Sequence, residues 1–225
     1  MLSSCDAEGS TAPSSVTAST ATPTSITTPE NEPGTIPTTY GPDVDPERLP
    51  AEALTPVDAT VDGQWFAFTG DGVVVVVAWS VPGDDVTRLA RGFAVWRRAS
   101  SAPHWRRAFV ETSGRRGLSE LRITTADVTG DGSDDVVAFE GAPGGGTGGC
   151  GTWLVVRLPR FDRIYRRSLC DGAIQPGPTG RPGLVLTESI YRSGDAHCCP
   201  SAIRTTALVW TGSDWRVGDR TVTST

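Results

Sequence analysis

The amino-acid sequence predicts an all-β protein: an antiparallel meander of about three blade-like repeats, propeller-like but not closed, preceded by a disordered stalk. Three observations carry this expectation. The chain repeats itself with an offset of 60, since Thr69-Gly70-Asp71-Gly72 recurs as Thr129-Gly130-Asp131-Gly132, Phe93-Ala94-Val95-Trp96 aligns with Trp153-Leu154-Val155-Val156, and Trp105-Arg106-Arg107 aligns with Tyr165-Arg166-Arg167. Three matches in one register mark an internal repeat. Apolar runs rich in Val, Trp and Phe are divided by Gly, Pro and Asp, which is the composition of strands and turns; only Asp84–Ala90 hints at helical periodicity. Finally, Ser and Thr fill 15 of the 30 residues from Ser10 to Thr39, with five prolines among them, and such a segment cannot bury enough apolar surface to offset its ordering entropy.

The first unit reads as strands over Val73–Ser80, Gly92–Arg98 and His104–Glu111. The second places them at Asp135–Glu140, Thr152–Leu158 and Arg163–Leu169. A looser third unit runs through Gly183–Ile190, Ile203–Trp210 and Trp215–Asp219, with Thr211-Gly212-Ser213-Asp214 as a hairpin turn. Propellers generally need four to eight blades, and roughly 165 residues supply fewer than three. A curled meander or small sandwich is therefore expected, with disulfides compensating for a missing seal between blades.

The organisation read from these features is a lipobox remnant over residues 1–5, a stalk over 6–58 and a β domain over 59–225. Charge divides along a similar line. Residues 1–60 carry nine acids against Arg48 alone, a net −8, whereas residues 61–225 carry 17 acids against 19 arginines, a net +2. The acidity belongs to the stalk. Ser/Thr with Pro also suits O-glycosylation. Leu2-Ser3-Ser4-Cys5 resembles a bacterial lipobox, in which Cys5 would take the diacylglycerol; a signal segment should precede it. The longest apolar run, Val73–Trp79, is too short to span a bilayer, so the expected association with the cell membrane is a lipid anchor.

Cys150, Cys170, Cys198 and Cys199 remain, an even number that in an exported domain implies two disulfides. Cys150 and Cys170 are equidistant from a turn at Arg160-Phe161, and so would face each other across a hairpin. The alternative links each of the adjacent Cys198 and Cys199 to one of the other two, and the sequence reading favours it, because the first pairing would leave a strained adjacent bridge.

Residues 126–140, ADVTGDGSDDVVAFE, hold the clearest chemistry. A calcium ion takes six to eight oxygens from a flexible loop. Alternate positions of a tight loop point inward, and here they hold Asp127, Thr129, Asp131, Ser133 and Asp135, with Gly132 at the reversal and the run Val136–Phe139 as a rigid anchor. The pattern resembles the calcium loops of FG-GAP (integrin-like, VCBS-type) β-propeller repeats. Thr129 is neutral where Asp or Asn would bind more strongly, so the expected affinity is modest. In the first unit, Ala67 and Val75 stand in the places of Asp127 and Asp135, which leaves Asp71 as a turn residue.

Asp195-Ala196-His197-Cys198-Cys199-Pro200 has ligand types for a soft metal, but adjacent cysteines rarely serve one ion. The run HCCPSAIRTTALVWTGSDWRV is similar to the C-terminal end of LppP/LprE-type actinobacterial lipoproteins, and Cys150 followed by Trp153-Leu154-Val155-Val156 echoes their earlier cysteine and strand. This resemblance implies an envelope location and disulfides more than an activity. Two histidines, His104 and His197, and no Gly-x-Ser-x-Gly leave little for catalysis. The glycine-rich Gly141–Gly151 lacks a helix N-terminus to hold a phosphate. The arginine pairs 97/98, 106/107, 115/116 and 166/167 would form a basic strip for polyanions, but solubilised strand edges and stacking on aromatics are the favoured roles.

The sequence thus reads as an extracytoplasmic lipoprotein whose calcium-binding β domain is a non-catalytic binding or structural module. Its expected partner is an envelope protein or glycan and not nucleic acid. The alternative is a secreted envelope hydrolase or lyase with a structural calcium.

Overall fold

The computed structural model describes residues 36, 39–40, 51–69, 72–81, 90–102, 104–112, 120–141, 149–158, 160–178, 181–196 and 199–225. Cys5 and the lipobox, residues 70–71, the segment 84–89, most of the glycine-rich loop, Arg115 and Arg116, and His197 with Cys198 lie outside the described residues.

Among the described residues, three antiparallel sheets follow one another along the chain, and none closes on itself. The first contains β1 (Thr39–Tyr40), β2 (Thr60–Thr69), β3 (Gly72–Val81), β4 (Ala90–Ala99) and β5 (Trp105–Thr112), in the order β1-β5-β4-β3-β2. The middle sheet is the meander β6 (Glu120–Ala126), β7 (Asp135–Gly141), β8 (Gly151–Arg157) and β9 (Asp162–Leu169). The third is β10 (Gly172–Pro176), β11 (Leu184–Ile190), β12 (Ala202–Trp210) and β13 (Trp215–Ser224), also in chain order. Among the described residues no helix is long and apolar enough to cross a membrane.

The sequence predicts three strands in each unit; each sheet has a further strand ahead of these, β2, β6 or β10, and the first sheet also has β1. These strands are half polar. In β6, Leu121 and Ile123 alternate with Arg122 and Thr124, and in β10 only Ile174 is fully buried. β2 carries the run Trp65-Phe66-Ala67-Phe68, a strand signal that the expectation passes over; β6 and β10 hold no such run, and pairing with the next strand completes them.

Both faces of the middle sheet are covered. Val136 and Ala138 of β7, with Leu154 and Val156 of β8, join the core built on the first sheet. The intervening Val137, Phe139, Trp153 and Val155 join a second core with Ile174, Leu184, Leu186 and Leu208 of the third sheet. Burial at both parities is why β7 and β8 read as continuous apolar runs with no alternation. Phe139 faces Trp153 across the ladder, ring centroids 4.7 Å apart, and the Arg122 guanidinium lies 4.5 Å from the Phe139 centroid. Gly141 and Gly151 are paired beside them; a β-carbon on Gly151 would come within 2.2 Å of the Phe139 ring.

β3 is likewise buried at both parities, from Val74 to Trp79. Part of its core comes from residues that the sequence reading assigned to the stalk. A 3-10 helix over Ala51–Leu54 buries Leu54 completely, and Ile36 and Tyr40 pack on the same cluster. Tyr40 pairs with Trp105, and the Arg107 guanidinium donates to the Ile36 carbonyl at 2.6 Å. The folded region therefore draws on residues ahead of 59.

Register refines the offset of 60. The bulge between Val95 and Trp96 recurs between Val155 and Val156, 60 positions on. The third sequence match does not hold in space. Phe109 pairs with Val95 and Tyr165 pairs with Val155, so β5 and β9 correspond at an offset of 56, and the structural counterpart of Trp105 is Phe161. The turn between β8 and β9 is shorter by the same four residues: Arg157 pairs with Asp162, where Arg97 pairs with Arg106.

The expected crosswise disulfides are also corrected, because Cys150 bonds Cys170. Gly151 opposes Leu169, and the next position outward sets the two cysteines face to face with Cα atoms 4.0 Å apart.

Because Leu54 fills the first core from outside the sheets, Leu54→Ala should destabilise the domain by about 2–5 kcal/mol. Denaturant unfolding of the two proteins measures this; an unchanged midpoint would detach residues 51–54 from the fold.

Candidate functional site

The acidic segment is the connection between β6 and β7. Ala126 pairs with Asp135, so residues 127–134 form a closed loop held by one ladder at its base. Two glycines with positive φ, Gly130 (77°) and Gly132 (84°), make the reversal, a backbone region that costs other residues strain. Gly130 is constrained twice, since a β-carbon there would lie 2.9 Å from the Pro182 ring.

The five expected ligands are all in this loop, and each has a distinct setting. Asp127 is half-buried. Its Oδ1 accepts from the backbone N–H groups of Gly130 (2.6 Å) and Asp131 (3.2 Å), and its Oδ2 accepts from Gly132 (2.9 Å). Asp131 is exposed and accepts from the Ser133 N–H at 2.9 Å, while Ser133 itself is buried. Asp135 is buried completely. Its Oδ2 collects the N–H of Val128 (3.2 Å) and both the N–H and the hydroxyl of Thr129 (3.0 Å each). Asp135 Oδ1 has no hydrogen-bond partner.

The side chains of Asp127 and Asp131 are thus turned to backbone donors. Among the described residues no group of three or more His, Cys, Asp or Glu side chains converges in a way that could hold a metal ion. The side chains of the loop offer oxygen donors, the type that a hard cation takes. Burying a carboxylate costs several kcal/mol unless its oxygens are matched, and Asp135 leaves one oxygen unmatched. Asp131 keeps its second oxygen, and a carboxylate offers about four acceptor sites in all.

Burial pushes the Asp135 carboxyl up to about 6, the bonds from Thr129 and Val128 pull against this, and the Asp131 charge adds to the rise. The folded state therefore holds this proton more tightly than the unfolded chain does. Between pH 4 and 6, stability falls as pH rises, because the fold must accept a buried charge that the unfolded chain carries in water.

A second feature of this end of the molecule was not legible in the sequence. The β10–β11 connection stands beside the loop, and the two enclose a groove of about 440 Å³ lined by Asp127, Val128, Pro176, Pro178, Arg181 and Pro182, among others. The cluster Gly177-Pro178-Thr179-Gly180-Arg181-Pro182-Gly183 announces a turn, but nothing in it announces the neighbour it packs against.

The arginine pairs are mostly spent on the fold. Arg97 lies over Phe161 and Arg98 over Trp105, at 5.3 and 5.5 Å from the ring centroids. Arg166, with Arg163, pairs with Glu111 of the first sheet, and Arg167 pairs with Glu188 of the third. Comparison with models of known protein families, with curated proteins and with solved structures finds no match for the chain.

The titration of Asp135 gives a measurable slope. In chelator, wild-type stability should drop by on the order of 2 kcal/mol between pH 4 and pH 7 from this group. Asp135→Asn should flatten the curve; equal slopes in the two proteins would remove Asp135 as its source.

Proposed function

We propose that this chain is a non-catalytic, calcium-binding β-repeat module of the cell envelope, held by a lipid at Cys5 to the outer face of the membrane. The observation that carries the calcium reading is the fully buried Asp135 carboxylate with an unmatched Oδ1, set at the base of a loop whose other oxygens belong to Asp127, Thr129, Asp131 and Ser133. These five residues would hold the ion. Bound calcium would supply the positive charge that offsets the buried carboxylate and ties the loop to β7. An exported setting is supported by the Cys150–Cys170 disulfide, which persists in oxidising compartments, and by the lipobox-like start and Ser/Thr/Pro stalk.

The blade-like reading draws support from the repeated bulge at Val95 and Val155 and from the four-stranded meanders. A module of this kind would bind an envelope protein or glycan at its exposed loops and edges.

Thermal unfolding in calcium and in chelator tests the assignment. At about tenfold excess of calcium over its Kd, linkage contributes ~1.4 kcal/mol, a rise in Tm of roughly 3–5 °C for a domain of this size. Asp131→Ala should abolish that rise, and so should Asp135→Asn. A wild-type protein whose Tm ignores calcium sinks the ion assignment.

A further inference from the structure

The groove between the β6–β7 loop and the β10–β11 connection, about 440 Å³, has the dimensions of a small-molecule site. Its walls are apolar, with Ala126 and Val128 on the loop side and Pro176, Pro178 and Pro182 opposite. The polar side chains that line it, among the described residues, differ in kind. They are the Thr124 hydroxyl, the Asp127 carboxylate and the Arg181 guanidinium. Thr124 and Arg181 are exposed, and neither side chain has a partner among the described residues. Asp127 is turned to its own loop: Oδ1 accepts from Gly130 and Asp131, and Oδ2 accepts from Gly132. A carboxylate offers about four acceptor sites, so these three bonds leave one, on Oδ2.

Both walls are preformed. The Gly177 N–H donates to the Gly183 carbonyl and the Arg181 N–H to the Pro178 carbonyl, each at 2.9 Å. Each proline has its φ fixed by its ring. Pro182 packs on the loop at Gly130, where a β-carbon would come within 2.9 Å of its ring. The loop in turn is tied to Asp127 by backbone donors and closed at its base by the Ala126–Asp135 pair. Little ordering is left for a ligand to impose, and that favours binding.

Charge selects the ligand class. One acid and one base give the lining no net charge. An anion drawn to Arg181 would meet the Asp127 charge, and a cation drawn to Asp127 would meet Arg181. A zwitterion fares no better, because an ammonium brings three donors and Asp127 has one site left. An apolar ligand would strip water from both charges and return no hydrogen bond. A neutral polyol suits every group: its hydroxyls accept from Arg181, donate once to Asp127 and bond Thr124 in either sense. The C–H faces of a pyranose ring cover the proline and valine surfaces. We propose that this groove binds a neutral saccharide segment, with Arg181, Asp127 and Thr124 on its hydroxyls. The assignment names the partner class of the binding module proposed above and rests on that reading.

Ligand-observed NMR titration of the full chain tests this, with methyl glucoside, methyl mannoside, methyl galactoside, maltose and cellobiose as probes. Chelator is present throughout, so the result does not depend on the ion. At least one probe should bind saturably, with the same constant at low and high salt, since the ligand carries no charge. Arg181→Ala should weaken that binding by about tenfold, and Thr124→Val by roughly threefold. Both sites are exposed, and circular dichroism checks that each variant keeps its fold. Three results would each overturn the assignment: no saturable binding by any of these sugars, binding indifferent to Arg181→Ala, or a preference for methyl glucuronide or the dipeptide alanyl-alanine over every neutral sugar. Chromatography of maltose and cellobiose after incubation separates the groove from the module reading. Intact disaccharide supports both; cleavage that is lost in Arg181→Ala supports the groove as a saccharide site and overturns the non-catalytic function.

Discussion

Everything in this molecule is arranged around the double burial of β7 and β8. A sheet of three or more strands needs one apolar face covered to hold together, and the middle sheet has two. Here the alternate side chains of two adjacent strands enter two different cores, so the middle sheet is covered on both sides. Each fully buried Val or Phe contributes about 1.5–3 kcal/mol, and the two parities add their contributions on the same backbone. The outer sheets need the middle one more than they need each other. β9 bonds to both outer sheets, through its arginines to Glu111 and Glu188 and through the Ile164 carbonyl, which accepts from the Trp215 indole.

Burial on both faces has a polar consequence. The residue that opens β7 is Asp135, and it inherits the dryness of the strand it begins. Three donors from Val128 and Thr129 satisfy one oxygen, and the other is left for whatever the loop can bring. The loop is held in shape by the same kind of bond, since Asp127 gathers three successive N–H groups across the two glycines. Carboxylates here shape the backbone first, and Asp135 Oδ1 is the acceptor that remains unmatched. At the opposite end of the same strand pair, Gly141 and Gly151 are glycines because the Phe139 ring lies across them.

The two ends of the stack are finished unequally. The first sheet is capped by Ile36, by Thr39–Tyr40, which add β1 to its edge, and by Ala51–Leu54, which close its core. The third sheet ends in β13, whose valines and charged residues are exposed. Ion pairs between the sheets are half-exposed and individually weak; Glu188 nevertheless gathers Arg167 and Arg204 from two different sheets, so these contacts fix orientation more than they stabilise.

The sequence by itself determined the class of the fold, the position of its apolar strands and the acidic loop. These are local properties. An unbroken Val-Val-Val run, a Gly-Asp-Gly reversal and a Ser/Thr/Pro tract carry their physics within a few residues. The tertiary structure alone decided what depends on pairing and packing. It completed β6 and β10, whose polar alternation gives too faint a run. It moved the third repeat match by four residues, because a hairpin's register follows its turn length and not the likeness of Trp-Arg-Arg to Tyr-Arg-Arg. It joined Cys150 to Cys170 through the strand register that flanks them. And it made Asp135 differ from Asp127 and Asp131, three acids equivalent in the pattern, by covering only the one that starts a strand buried on both faces. Desolvation is a sum over neighbours distant in the chain, and no local spacing records it.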